Sequence, residues 1–368
     1  MQVPPVSSRP APISPLPEDP RRDALLAWLA TCPGGIRTSP ESLRAASADA
    51  SFRRYFRVDA RPRDAGSADA TLIVMDAPPD KEDVGRFFDV ASVLRAAGLS
   101  VPRVLAVDRA AGLMLLSDLG STTYLDALSQ AREQGDHARC DALMRDALSA
   151  LVRLQRADAA WPAYDAARLQ AEMELFPAWY VARHLQAELS PAEKQGLRRV
   201  MDALLRNVLA QPVVPVHRDY HSRNLMLLAE GAECGNPGVL DFQDAVLGPI
   251  TYDLVSLLRD AYIAWPEPQQ IDWAVRYWEM ARRAGLAVQA DFGEFYRDFE
   301  WMGLQRQLKV LGIFARLYHR DGKSQYLNDM PQVLGYARAV AARYDEFAPL
   351  LRLLDRLHGV AHGHSYTF

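Results

Sequence analysis

Residues 213–242 interrupt a helical pattern with a segment that has few ways to fold. It reads VVPVHRDYHSRNLMLL, then a turn at GNPG (235–238), then VLDF. Short apolar runs bounded by Gly and Pro predict a hairpin, LMLL (225–228) against VLDF (239–242). The polar stretch HRDYHSRN then sits on the loop that enters the hairpin. The return strand brings Asp241 back to the vicinity of Asn224, 17 residues earlier. Long helical patterns fill the chain from about residue 121 to 210 and from 251 to the end.

The earlier part of the chain is patterned differently. RRDALLAWLATC places Leu25, Leu26 and Leu29 on one side of a short helix. SFRRYFRVDA (51–60) and TLIVMDA (71–77) predict two strands joined by the polar loop RPRDAGSAD. In KEDVGRFFDVASVLRAAGLS, Phe87, Val90, Ala91 and Leu94 follow helical spacing, and Gly98 suits the helix end. VPRVLAVD and GLMLLSDLG add two strands around a turn at Asp108–Gly112. The whole predicts an α+β chain of two lobes: a small, mainly antiparallel β lobe over 21–118 and a larger, mainly helical one over 119–368. Residues 1–20 hold seven prolines and predict a disordered leader without the apolar core of a signal peptide.

At 368 residues the chain is long enough for two lobes. Its net charge of −4 gives no basic excess that would point to nucleic acid. Three distant cysteines, Cys32, Cys140 and Cys234, give neither a disulfide framework nor zinc spacing, which suits a reducing cytoplasm. No apolar run is long enough to span a membrane.

The polar residues of the central segment suit phosphoryl transfer. That reaction asks mainly for an oriented nucleophile and for cations that neutralise charge. Asp219 is the candidate to orient a substrate hydroxyl and accept its proton. Mg²⁺ prefers oxygen ligands and keeps several waters, so the Asn224 amide oxygen and the Asp241 carboxylate are enough to hold it. HRD alone is a common polar triplet. The ordered set HxDxxxxN, hairpin, DF is far less common. His217 is expected to orient the loop by hydrogen bonding. Asp253, in GPITYDLVSLL, opens an apolar-periodic helix, where a carboxylate is favoured by the dipole and can brace the loop.

These residues resemble the aminoglycoside phosphotransferase (APH)-like branch of the protein-kinase fold. The match covers His217, Asp219, Asn224, Asp241 and the GxxxYDL residues Gly248, Tyr252, Asp253 and Leu254, within about residues 22–345. SFRRYFRV, MDAPP, GLSVPRVLAVD, LLSDLG and WMGLQRQLKVLGIFARLYHRDGK are similar to segments of the bacterial anomeric kinases of N-acetylmuramate and N-acetylglucosamine in cell-wall recycling. The resemblance implies a cytoplasmic, monomeric enzyme using ATP and Mg²⁺, with no nucleic-acid or membrane partner. It would phosphorylate the C1 hydroxyl of amino sugars. The alternatives are a kinase of an aminoglycoside, choline or homoserine, and a non-catalytic nucleotide-binding module.

The resemblance also implies sites for ATP and sugar. SDLG (117–120) would connect the lobes and read adenine through Ser117 and Leu119, with Met114 behind. LIVMDAPP lacks the lysine usual in kinases, so Arg54, Arg57 or Lys81 would hold phosphate, and Asp89 is the candidate helix acid. ADASFRR lacks G-x-G-x-x-G, leaving Ser51 and its backbone to cover phosphate. The sugar would meet Glu172, Trp179, Tyr180 and Arg183 on one helix. On another it would meet Trp301, Gln305 and Lys309 at i, i+4 and i+8, with Arg306 alongside. A lactyl carboxylate would favour Arg306 or Lys309. Aromatics at helical spacing are more often core.

Overall fold

Alternation in RYFRVDAR sends Phe56, Val58 and Ala60 to one face of a strand, where they are buried. In the computed structural model this is the second of five strands, Arg37–Ser47 (β1), Arg54–Arg61 (β2), Ala70–Asp76 (β3), Val104–Asp108 (β4) and Leu113–Ser117 (β5). The structure describes residues 20–31, 36–47, 52–61 and 70–359. Residues 1–19 of the leader and Ser51 therefore lie outside the described residues, and the leader's last residue, Pro20, opens a helix. The sheet runs β1-β2-β3-β5-β4, antiparallel throughout. Leu25 and Leu29 of the helix Pro20–Ala30 join Phe56, Val58, Leu72, Val74, Leu113 and Leu115 in its core.

β1 has no counterpart in the sequence expectation. RTSPESLRAAS contains Pro40 and no alternating β-branched residues. It pairs at the sheet edge with two register breaks, where proline is tolerated. At the β4–β5 turn Gly112 takes φ +70°, and a Cβ there would lie 1.9 Å from the Ala77 carbonyl oxygen.

The chain divides into two units: one through Gly85 with Arg103–Asp118, the other Arg86–Pro102 with Leu119 onward. Residues 86–102 were expected with the first lobe, and their contacts lie with the second. Arg86 donates to the carbonyls of Gln243 at 2.6 Å and Ala245 at 2.5 Å, and Phe87 packs 4.7 Å from Phe242.

The second unit is mainly helical. Ser190 and Glu193 form a reciprocal cap that starts the helix Pro191–Ala210. It packs with the 30-residue helix Phe292–Asp321, Met330–Ala341 and Ala348–Leu357 around Phe176, Leu204, Leu308, Phe347 and Leu354. Gly312 marks the closest crossing on the long helix, where a Cβ would meet the Leu175 backbone at 2.4 Å. The stretch 171–184, expected as one regular helix, is Ala166–Met173 followed by a π-helical segment, Phe176–His184. Pro177 has no amide hydrogen, so a regular helical bond is missing there. No helix among the described residues is long and apolar enough to cross a membrane.

Two short ladders carry the central segment. Val213–Val216 (β6) pairs with Val246–Pro249 (β9), and Leu225–Met226 (β7) with Gly238–Val239 (β8). The expected hairpin is there, though its strands are two residues long. Asp241 lies past the end of β8, at φ +60°.

Candidate active site

β6 delivers the chain into His217, Arg218 and Asp219, and a buried carboxylate fixes the path of this loop. Asp253, in the first turn of the helix Tyr252–Leu258, accepts the backbone N–H of His217 at 2.6 Å and of Arg218 at 3.0 Å. Arg218 is thereby held at φ +80°. Burial pushes the Asp253 carboxyl up to about 7, and the two backbone donors pull it back. Since both oxygens accept N–H, the ionised form suits this geometry best.

Asp253→Asn would turn an NH₂ toward one of those donors. The expected result is a stability loss of about 1–3 kcal/mol in denaturant unfolding. Turnover should fall more than the unfolded fraction accounts for, because Asp219 rides on this loop.

His217 is buried and donates from Nε2 to the Leu240 carbonyl at 2.9 Å, while its Nδ1 accepts the Asp219 N–H at 3.2 Å. Burial pushes its imidazole down to about 4, against the pull of Asp219, so the ring is neutral and fixed in one tautomer. Farther along, Asp260 accepts the Ser222 N–H at 2.9 Å and its hydroxyl at 2.6 Å, anchoring the turn Ser222–Asn224.

Asn224 and Asp241 are brought together. The Asn224 NH₂ donates to the Asp219 carbonyl at 3.0 Å and to Asp241 Oδ2 at 3.3 Å. The Leu240 N–H donates to the Asn224 carbonyl at 2.9 Å, and the Gln243 NH₂ to Asp241 Oδ1 at 2.7 Å. The edge of Asn224 that faces Asp241 is its NH₂; the Asp241 carboxylate and the Asn224 amide oxygen are hard donors of the kind that fits Mg²⁺.

Cations gather around Asp219. Burial alone would raise its carboxyl, yet the charges of Lys309, Arg306 and Arg218, with a contribution from His221, outweigh burial and hold it below the usual carboxylate value. Glu172 bridges two of them, Arg218 at 2.6 Å and Lys309 at 3.2 Å, and accepts the Tyr164 hydroxyl. Lys309 also donates to the Tyr252 hydroxyl at 2.9 Å. The rings of Tyr164 and Tyr252 meet edge to face at 5.4 Å, with Arg218 over the first and Arg306 over the second.

The residues expected to hold sugar separate. Glu172, Arg306 and Lys309 belong to this cluster. Trp179 and Arg183 line a different cavity of about 530 Å³ with Gln186, His319 and Arg320. His319 is ten residues beyond Lys309 on the same helix, about 15 Å along its axis. The expectation of a sugar contact is corrected for Tyr180 and Trp301, which are 3% and 5% exposed core residues. Tyr180 stacks on Phe176 and His184, and Trp301 packs against Phe347 and Tyr344. Gln305 is wholly buried, and its two amide atoms have no hydrogen-bond partner among the described residues.

In the first unit Arg54 pairs with the buried Asp76, which Arg21 also holds. Arg57 grips Asp118 in a fork at 2.5 and 3.0 Å. Met114 is buried, and Ser117 accepts the Arg103 N–H on its hydroxyl at 2.8 Å. Leu119, in the second unit, lies against Gly238. Lys81 sits over Phe52, and Asp89 is on the exposed face of its helix.

Sequence reasoning passed over Arg218, His221, Gln243 and Tyr164, and named Tyr252 only as part of the GxxxYDL pattern. The motif already contained the first two, and DFQDA contained Gln243. Tyr164 carries no local signal at all.

An ionised aspartate on a braced loop, beside an Asn–Asp pair and after an antiparallel-sheet unit in chain order, defines a phosphotransferase of the protein-kinase-like fold. Residues 42–290 match the APH phosphotransferase enzyme family, and the chain belongs to it. It is 50% identical to the N-acetylmuramate/N-acetylglucosamine kinase of Neisseria meningitidis, over 85% of this chain and 90% of that one. To the Pseudomonas aeruginosa kinase of the same name it is 46% identical, over 92% and 98%. In fold it is similar to an ADP-bound aminoglycoside phosphotransferase, with TM-score 0.53 and 15% identity over 85% of this chain and 97% of that one.

Proposed function

We propose that this enzyme transfers the γ-phosphoryl group of ATP to the anomeric hydroxyl of N-acetylmuramic acid and N-acetylglucosamine. The carrying observation is the cation-ringed Asp219 next to the Asn224–Asp241 pair, in a chain half identical to a kinase of those sugars. Its place is the cytoplasm, where such sugars are recycled into cell wall, and it acts as a monomer.

Asp219 orients the sugar hydroxyl. Because its carboxyl is held low, it is a weak base, so it takes the proton late, as the new P–O bond forms. Asn224 and Asp241 would hold Mg²⁺, which would supply charge neutralisation on the phosphates. Neutral His217 and ionised Asp253 keep the loop in register through backbone bonds. Of the arginines that replace the missing strand lysine, Arg54 is the better phosphate ligand, since 39% of its side chain stays exposed beside Asp76. The Ser117 backbone reads adenine, with Met114 behind it.

A polycationic acceptor such as an aminoglycoside would meet the like charges of Arg218, Arg306 and Lys309 around Asp219. The test is turnover with ATP and Mg²⁺ over N-acetylmuramic acid, N-acetylglucosamine, kanamycin and choline. Turnover confined to the two amino sugars is expected. Turnover confined to kanamycin or choline would overturn the acceptor assignment.

A further inference from the structure

Three cations stand around Asp219, and they are not equivalent. Arg218 and Lys309 both grip Glu172, and Lys309 adds the Tyr252 hydroxyl. Arg306 is 7% exposed, yet it makes no hydrogen bond and no ion pair with any described residue. Its Nε is buried without a partner among them. Its guanidinium carbon lies over the face of the Tyr252 ring, 5.8 Å from the centroid. Asp260, the other nearby acid, already accepts Ser222 on one oxygen and the Tyr262 N–H on the other.

Burial works against the charge of Arg306, and the neighbouring Asp219 and Asp260 outweigh it from a distance, so the guanidinium stays charged with no carboxylate of the described residues bonded to it. Such a group is retained where a ligand brings the anion. A planar fork of N–H donors matches two oxygens of one group, either a carboxylate or a phosphoryl. We infer that Arg306 receives the carboxylate of the acidic sugar and is the residue that tells N-acetylmuramic acid from N-acetylglucosamine. This rests on the function proposed above. Lys309, the alternative from sequence, is committed to Glu172 and Tyr252 and serves instead to keep that wall in place.

The test is steady-state kinetics of wild type, Arg306→Gln and Arg306→Lys on both sugars. Wild-type turnover of both sugars establishes the underlying reading first. A wild type inert on both overturns that reading and this one with it. The expected result is a ratio of kcat/KM for N-acetylmuramic acid over N-acetylglucosamine at least 10-fold lower in both variants, carried by KM for the acidic sugar; loss of the charge beside Asp219 in Arg306→Gln lowers kcat on both sugars alike and leaves this ratio untouched. An equal loss on both sugars, carried by kcat with the ratio unchanged, assigns Arg306 to the phosphoryl group and overturns the carboxylate role. No change on either sugar overturns it as well. Thermal unfolding is the fold control: Arg306→Gln gives up the Tyr252 ring contact but no hydrogen bond, and is expected to melt close to the wild-type temperature.

Discussion

Asp219→Asn is expected to lower kcat by about 10²–10⁴-fold, the usual worth of a positioned acid–base group. The substitution keeps the side chain's shape. It removes the proton acceptor and turns donors toward Lys309, Arg306 and Arg218, whose charges hold Asp219 ionised. Nucleotide affinity should stay within a few-fold, because no phosphate-holding residue changes. Single-turnover kinetics with calorimetric ATP binding separate the two. A variant that turns over at the wild-type rate would remove Asp219 from the chemistry.

Asp241→Asn should cost nearly as much by a different route. Losing the carboxylate at the metal pair is expected to remove about 4 kcal/mol of transition-state stabilisation, about 10³-fold in kcat. The half-saturating Mg²⁺ concentration should rise, which the Asp219 variant should not show. Asn tolerates the φ of +60° at this position, so the fold should be spared. The readout is a Mg²⁺ titration of turnover at fixed ATP. An unchanged Mg²⁺ dependence would place the metal elsewhere.

The site was more legible in the sequence than the sugar pocket. HxDxxxxN and the hairpin sufficed to bring Asn224 within 3.3 Å of Asp241, because short strands around a turn leave little choice of register. The pocket was not readable from helical spacing. Every residue from Phe299 to Gly312 of the long helix is buried, apolar or not. Periodicity there cannot tell the face that sees Asp219 from the face that sees Phe347. Trp301 and Lys309 share a stripe in sequence, yet one packs in the core and the other reaches Glu172. β1 escaped for another reason. Its pairing with β2 makes it a strand, while its own residues argue for a loop.

The position of the new phosphate tests the account most directly. The product made from ATP and N-acetylmuramic acid would be examined by phosphorus–proton correlated NMR. The expected product is a single sugar phosphate whose phosphorus couples to the anomeric proton and which is absent when the Asp219→Asn variant replaces wild type. Phosphorus coupled to the C6 methylene protons, or ADP and inorganic phosphate with no sugar phosphate, would contradict it.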